Sequence, residues 1–128
     1  MKIFISQPMR GKTDQQIYDE RWEAIKEIVS VFQKELFLNE TIHVLDTVFD
    51  FVPGTHPLIY LAESIRVLSE ADKLVMMPGW KLARGCVIEH ECAVRYGIPI
   101  YYLDRDNEDI IEEAFREWKN MGKNKEEE

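Results

Sequence analysis

Residues 70–100 read EADKLVMMPGWKLARGCVIEHECAVRYGIPI, and the architecture of the chain can be inferred from this segment. The apolar run at residues 73–78 is typical of a buried central strand. Helical spacing then predicts a helix at roughly residues 86–96, with Gly97 at its C-terminal cap and Pro99 shortly beyond. The next run, IPIYYL, predicts a further strand. Two strands joined by a helix in this order are expected to lie parallel in one sheet.

The alternation of strand and helix continues on both sides of this segment. Strands are predicted at residues 2–6 and 42–46, and helices at about 13–36, 57–70 and 107–120. Thr13 and Gln16 form a capping-box signature, and the apolar spacing places Trp22 and Leu58 among the core-facing side chains. Four strand–helix pairs predict an α/β fold: a doubly wound parallel sheet of four to five strands with helices on both faces. Ligands of such sheets bind beyond the carboxyl ends of the strands.

The length of 128 residues favours one domain, expected at residues 1–121 with a flexible acidic tail at 122–128. The net charge is −8, and residues 104–128 alone hold ten acidic and five basic side chains. A nucleic-acid groove needs a basic stripe, which the chain lacks, so nucleic acid is not an expected partner. No window approaches about 18 uncharged apolar residues and no signal peptide is recognisable. We therefore expect no membrane partner and a cytoplasmic location.

Cys86 and Cys92 lie six residues apart, with His90 between them. Without a secretory context a disulfide is not expected, and no second Cys or His cluster supports zinc. The pattern predicts two half-buried thiols on one helix, no metal site and no cofactor.

The N-terminal stretch FISQPMRGKT ends like a P-loop, in Gly-Lys-Thr. Ser6 stands where that motif needs a glycine and Pro8 removes a backbone donor, so a triphosphate-binding loop is not favoured. The turn still joins a strand to a helix N-terminus, which attracts anions. Candidate ligands of a phosphate or carboxylate are the Ser6 hydroxyl, the Gln7 amide, the Arg10 guanidinium and the backbone at Gly11. An ordinary solvated turn is the alternative.

Asp72 and Glu89 are the candidate catalytic carboxyls. Glu89 is expected within about the first turn of its helix, where the dipole favours the ionised form and predicts a lowered pKa. Such a carboxylate can attack an anomeric carbon while a second carboxyl, here Asp72, protonates the leaving group. Trp80 is a candidate to stack on a base, and Arg84 and Gly85 are candidates to bind a charged group. Purely structural roles for these residues remain open.

The segment ADKLVMM…GCVIEHECAVRYGIPI resembles the nucleoside 2-deoxyribosyltransferase superfamily, which includes 2'-deoxynucleoside 5'-monophosphate N-glycosidases. The signature is an Asp at a central strand, then Gly-x-x-x-Glu-x-x-x-Ala, then Gly-x-Pro. The matching residues here are Asp72, Gly85, Glu89, Ala93, Gly97 and Pro99. Together with ISQPMRGKT, the segment looks like a small, often phage-borne branch of that superfamily. The resemblance covers nearly the whole chain.

The resemblance implies a flavodoxin-like fold and cleavage or transfer of the N-glycosidic bond of a nucleoside or its 5'-monophosphate. Glu89 would attack C1' and form a covalent glycosyl-enzyme, and Asp72 would assist departure of the base. Ser6, Arg10 and Gly11 would hold the 5'-end of this small-molecule substrate. A second base or water would then take the sugar, and no cofactor is implied. Members form dimers or larger assemblies, so a homodimer or higher homo-oligomer is expected.

A second interpretation is that the protein has the same fold but does not catalyse a reaction. Ala83 stands where the superfamily usually has Asp or Ser, and Glu91 replaces a glycine after the glutamate. These two residues favour a non-catalytic nucleotide-binding or sensing module.

Overall fold

The computed structural model describes residues 1–32, 41–47, 49 and 51–103. It contains a sheet with three α-helices packed on it. The strands are β1 (Lys2–Ser6), β2 (His43–Val44), β3 (Lys73–Met76) and β4 (Ile100–Tyr102). The helices are α1 (Asp14–Phe32), α2 (Pro57–Leu68) and α3 (Arg84–Tyr96), with a short 3₁₀ turn at Trp80–Leu82 before α3.

The sheet has the order β2-β1-β3-β4, and all three strand pairs are parallel. The chain moves outward from β1 to β2 and then returns across β1 to place β3 on its other side. The strand order therefore reverses between β1 and β3, which is where ligands of flavodoxin-like sheets bind. This arrangement confirms the predicted α/β, flavodoxin-like fold.

Two apolar clusters separate the faces of the sheet, as expected for a doubly wound fold. Ile3, Ile5 and Val75 pack under α1, with its Ala24, Ile28 and Phe32. Phe4, Leu74 and Met76 face the other way and pack under α2 and α3. The alternation follows from the two-residue period of a strand, which sends successive side chains to opposite faces. The side chains from Ile3 to Ile5 in β1 and from Leu74 to Met76 in β3 are all apolar because both faces of the sheet are covered.

Local signals located several element boundaries well. The Thr13 N–H donates to Gln16 Oε1 at 2.9 Å and the Gln16 N–H donates to Thr13 Oγ1 at 3.1 Å, which confirms the capping box. Gly97 ends α3 in the left-handed conformation, at φ 72°. Helix α3 begins at Arg84, two residues before the predicted start, and β2 is shorter than predicted.

Two predicted core positions are wrong. Trp22 is 52% exposed, because it lies about 200° around α1 from Ala24, which is in the buried stripe. Leu58 is 63% exposed, because α2 buries only Val67 and Leu68 in its last turn.

Some predictions fall outside the described residues: the extension of the first helix to residue 36, the helix at 107–120 and the tail at 122–128. Within the described part of the chain, no helix combines the length and apolar character that crossing a membrane requires.

Candidate active site

Glu89 on α3 lies over the end of β1. Its Oε1 accepts a hydrogen bond from Ser6 Oγ at 3.0 Å. Ser6 is 1% exposed and Glu89 is 7% exposed, so this is a buried polar pair. Ser6 is the last residue of β1 and is in register with Met76, the last residue of β3. The pair therefore lies at the β1/β3 switch point, on the carboxyl edge of the sheet.

Glu89 occupies a position on α3 where an apolar residue is normally found. Cys86 and Ala93 lie one turn before and one turn after it, and both are buried. The spacing of three and four residues places all three on the face that packs on the sheet. Burying a carboxyl costs free energy unless its oxygens are hydrogen-bonded. Within the described residues, Glu89 has one such bond, from Ser6.

Burial raises the pKa of Glu89 to about 7, and the hydrogen bond from Ser6 opposes that rise. The predicted lowering of this pKa by the helix dipole is wrong for two reasons. Because α3 starts at Arg84, Glu89 is its sixth residue and lies beyond the first turn, where the dipole acts. The loss of water around the carboxyl then dominates.

The thiol of Cys86 also interacts with Ser6. Burial raises its pKa to about 11, the hydrogen bond with Ser6 lowers it, and the charge of Glu89 adds to the rise. Cys86 is buried and Cys92 is half-buried, and both are free thiols. Among the described residues, no three His, Cys, Asp or Glu side chains are grouped in a way that could hold a metal ion.

Asp72 lies at the opposite end of the strands. Its Oδ2 accepts a hydrogen bond from the Lys2 N–H at 2.7 Å, and its own N–H donates to the Lys2 carbonyl at 2.8 Å. Lys2 begins β1 and Ser6 ends it, so about 13 Å of strand separates the two residues to which the carboxyls of Asp72 and Glu89 are hydrogen-bonded. The expectation that Asp72 assists at Glu89 is therefore wrong. Asp72 instead joins the amino ends of β1 and β3.

The turn after β1 presents Arg10 to solvent. The Lys12 N–H donates to the Met9 carbonyl at 3.2 Å, and Gly11 has φ 79°, as the third position of a type II turn requires. Arg10 is exposed, and within the described chain it has no hydrogen bond or ion pair. Arg84, the first residue of α3, is also exposed at this edge. Both cations are thus available on the edge that carries Glu89.

Gln7 faces away from Glu89. Its Nε2 donates to the Ile17 carbonyl of α1 at 2.7 Å. Ser6 points toward α3, so the next side chain along the strand points toward α1. The Gln7 Oε1 is buried and has no hydrogen-bond partner within the described part of the chain. Gln7 therefore braces the start of α1, and the structure does not bring it into contact with the other candidate ligands.

Trp80 does not present a face to a ligand. It is buried, and its ring stacks on His90 with 4.3 Å between centroids and 27° between planes. His90 Nε2 lies 2.6 Å from the Tyr102 hydroxyl, which ties α3 to β4. The predicted stacking of Trp80 on a base is therefore wrong, because the ring is part of the core. The sequence contained no local signal for this cluster, since its members come from three elements.

A family model described as a domain of unknown function, DUF4406, matches residues 1–102. The chain belongs to the DUF4406 family. The matched region contains the four strands described above and both Ser6 and Glu89. No curated protein and no solved structure matches the chain.

The DUF4406 domain also has a groove of about 760 Å³ on the α1 side. Its floor includes Ala24, Met77, Pro78 and Leu103, and charged side chains of α1 form the wall. Because α1 covers the opposite face of the sheet, this groove is separate from the Ser6–Glu89 pair. Its size suits a small molecule, but none of the candidate residues that the sequence indicated lines it.

The open backbone at the start of α3 gives the DUF4406 site room for a ligand. A Cβ added at Gly85 would meet no atom within 4 Å. The residue before the helix, Ala83, provides no side-chain acceptor for the first N–H groups of α3. Arg84, Gly85 and these N–H groups therefore form an uncapped, positively polarised surface one turn from Glu89.

Proposed function

We propose that this DUF4406 protein cleaves or transfers the N-glycosidic bond of a nucleoside, a deoxynucleoside or a 5'-monophosphate, with Glu89 as the nucleophile. The observation that carries the proposal is the buried hydrogen bond between Ser6 and Glu89 at the β1/β3 switch point. The resemblance of Gly85, Glu89 and Ala93 to the nucleoside 2-deoxyribosyltransferase signature supports the same chemistry.

In the first step, the ionised carboxylate of Glu89 attacks C1' of the sugar. The C1'–N bond breaks, and its electron pair leaves with the base, which takes up a proton from solvent water. Ser6 Oγ donates to Oε1, so it fixes the carboxyl plane and leaves Oε2 as the attacking atom. Asp72 is too distant to supply the proton. In the second step, water or an acceptor base attacks C1' and releases Glu89, which gives hydrolysis or transfer.

Recognition of a 5'-phosphate is assigned to the two exposed cations at the carboxyl edge. Arg10 lies in the turn after β1 and Arg84 is the first residue of α3, so both are on the edge of the sheet that carries Ser6 and Glu89. A guanidinium binds phosphate through paired hydrogen bonds, and the uncapped start of α3 adds a favourable potential. Gly11 and Gly85 leave the backbone accessible on both sides.

The alternative is a nucleotide-binding or sensing module without turnover. One observation favours it: burial raises the pKa of Glu89 to about 7, so this carboxyl has a substantial neutral population near pH 7. A neutral carboxyl donates a hydrogen bond and does not attack carbon. In this second candidate function Glu89 recognises an acceptor atom of the nucleotide.

Incubation with a panel of deoxynucleosides and their 5'-monophosphates, with and without an acceptor base, separates the two candidates. Free base is followed by chromatography. The enzyme hypothesis predicts release that is lost in Glu89→Gln and retained in Glu91→Gln, an exposed neighbour that pairs with Arg95 on the same helix. Saturable binding without release in the wild-type protein and in both variants would support the sensor and contradict the enzyme.

The proposal includes a cytoplasmic location and a homodimer or larger assembly. Exposed apolar side chains support assembly: Leu58 and Ile59 at the start of α2, Leu82 in the 3₁₀ turn, and Val87 in the first turn of α3. Exposed apolar side chains become buried when they lie in a protein interface. Light scattering coupled to size-exclusion chromatography tests the oligomeric state, and a monomer at all accessible concentrations would contradict it.

A further inference from the structure

The segment between β2 and α2 leaves the sheet at the same edge as Ser6. The Leu45 N–H donates to the Ile3 carbonyl at 2.9 Å, which continues the parallel pairing of β2 with β1. Leu45 and Phe49 pack in the apolar cluster that contains Cys86 of α3. The segment is thus on the Glu89 face of the sheet. Helices α2 and α3 contact each other and both begin at this edge, and packed helices lie about 8–10 Å apart.

Phe49 and Phe51 of this segment pack with Tyr60 of α2. We call these three residues the aromatic wall. The centroids of Phe51 and Tyr60 are 4.9 Å apart with the rings nearly perpendicular, and those of Phe49 and Phe51 are 5.9 Å apart. Tyr60 is 36% exposed. The wall therefore combines rings fixed by packing with aromatic surface that solvent can reach, a combination suited to a planar ligand.

His56 adds a polar group beside the aromatic wall. Its Nδ1 accepts a hydrogen bond from the Leu58 N–H at 3.1 Å and so caps α2. An imidazole nitrogen that accepts carries no proton, so in the neutral ring the proton is on Nε2. Within the described residues Nε2 has no partner, and the side chain is exposed. The cap thus orients one N–H donor at the edge of the wall.

We propose that the aromatic wall and His56 recognise the nucleobase of the substrate. The base lies against the rings, and His56 Nε2–H donates to a ring nitrogen or carbonyl oxygen, acceptors that every nucleobase has. This inference rests on the proposed function, because it places the base beside the sugar carbon that Glu89 attacks. It assigns the role that Trp80, buried in the core, cannot fill.

Calorimetric titration of the full chain tests the proposal with three probes: dAMP, dCMP and 2-deoxyribose 5-phosphate. The Glu89→Gln background prevents consumption of the nucleotides. Tyr60→Ala removes one ring, and His56→Asn removes the Nε2 donor while keeping a good N-cap. Tyr18→Ala is the matched control, since Tyr18 is an exposed aromatic residue on α1, at the other face.

Base stacking contributes about 1–3 kcal/mol, so Tyr60→Ala is expected to weaken dAMP and dCMP about fivefold or more. His56→Asn is expected to weaken the same two ligands, and Tyr18→Ala to weaken neither. Binding of the sugar phosphate should be unchanged in all variants. Equal loss for nucleotide and sugar phosphate, or no loss for either, overturns the inference.

The outcome for the proposed function is read separately, from base release by protein with Glu89 intact. If base release depends on Glu89 but nucleotide affinity is unchanged in Tyr60→Ala and His56→Asn, only the base-recognition site is overturned. Selective loss of nucleotide affinity without any base release would support that site and contradict the enzyme.

Discussion

Ser6 and Glu89 are 83 residues apart in the chain, and a 3.0 Å hydrogen bond joins them in the interior. The bond links the last residue of β1 to the buried face of α3. It has two consequences: it moderates the pKa of the carboxyl, and it fixes which carboxyl oxygen remains free.

Glu89→Gln is expected to stabilise the protein at alkaline pH. The pKa of Glu89 is raised from 4.5 to about 7 in the folded state, so ionisation above pH 4.5 destabilises the fold increasingly until about pH 7. Full ionisation costs up to about 3 kcal/mol of the free energy of unfolding. Gln has no charge to bury, so urea unfolding should show the variant more stable at pH 8 than the wild type, with a smaller difference at pH 5. Glu91→Gln is the control, and a difference that grows toward acid pH would contradict the burial argument.

The rate of base release is expected to rise with pH. Only ionised Glu89 can attack C1', and the pKa of Glu89 in the folded, ligand-free protein is about 7. The profile of kcat/KM against pH should therefore climb through pH 7 and level off above it. A profile that falls across this range would show that Glu89 acts in its protonated form, as an acid.

Ser6→Ala is expected to move that profile to higher pH. The hydroxyl donates to the carboxylate and lowers the pKa of Glu89, so its removal leaves burial unopposed. A hydrogen bond of this kind contributes about 0.5–1.5 kcal/mol, which corresponds to a shift of up to about one pH unit. The matched change Ser69→Ala removes an exposed hydroxyl at the end of α2 and should leave the profile in place. An unshifted profile in Ser6→Ala would argue against the hydrogen bond in solution.

Arg10→Ala is expected to reduce the use of 5'-monophosphates more than the use of nucleosides. Loss of a charge-assisted contact to phosphate costs about 1.5–3 kcal/mol, or roughly 10- to 100-fold in kcat/KM. Arg66→Ala provides the control, because Arg66 is an exposed arginine paired with Glu63 at the end of α2 away from the site. Equal losses on both substrate types would remove Arg10 from phosphate recognition.

Cys86 is expected to resist alkylation in the folded protein. Its thiol is buried and its pKa is about 11, so almost no thiolate is present at pH 8. Mass spectrometry after iodoacetamide treatment should find Cys86 unmodified under native conditions and modified in urea. Rapid native labelling would mean that α3 separates readily from β1.

The fold was predictable because its signals are local. The capping box at Thr13 and Gln16, the left-handed cap at Gly97 and the apolar runs of β1 and β3 each depend on neighbouring residues. The buried face of α3 was also predictable from the sequence, since Glu89 lies at helical spacing from Ala93. What these patterns could not supply is the partner of a buried polar group, because Ser6 is distant in sequence.

The errors have identifiable physical causes. Asp72 immediately precedes β3, and a residue before a parallel strand lies at its amino end, so the sequence already contained the information that separates it from Glu89. Trp80 follows a strand at the correct edge, but the packing of His90 and Tyr102 that removes it from solvent depends on three elements. The predicted pKa shift of Glu89 was wrong because α3 begins two residues earlier than predicted. Glu89 therefore lies in the second turn of the helix and not in the first.

The short length of β2 affects how copies of this chain can associate. Only two of its residues pair with β1, and it is the last strand on that side of the described sheet. A strand so short offers few free backbone amides as a template for a strand from another molecule. That border is thus poorly suited to the intermolecular strand addition that begins amyloid growth.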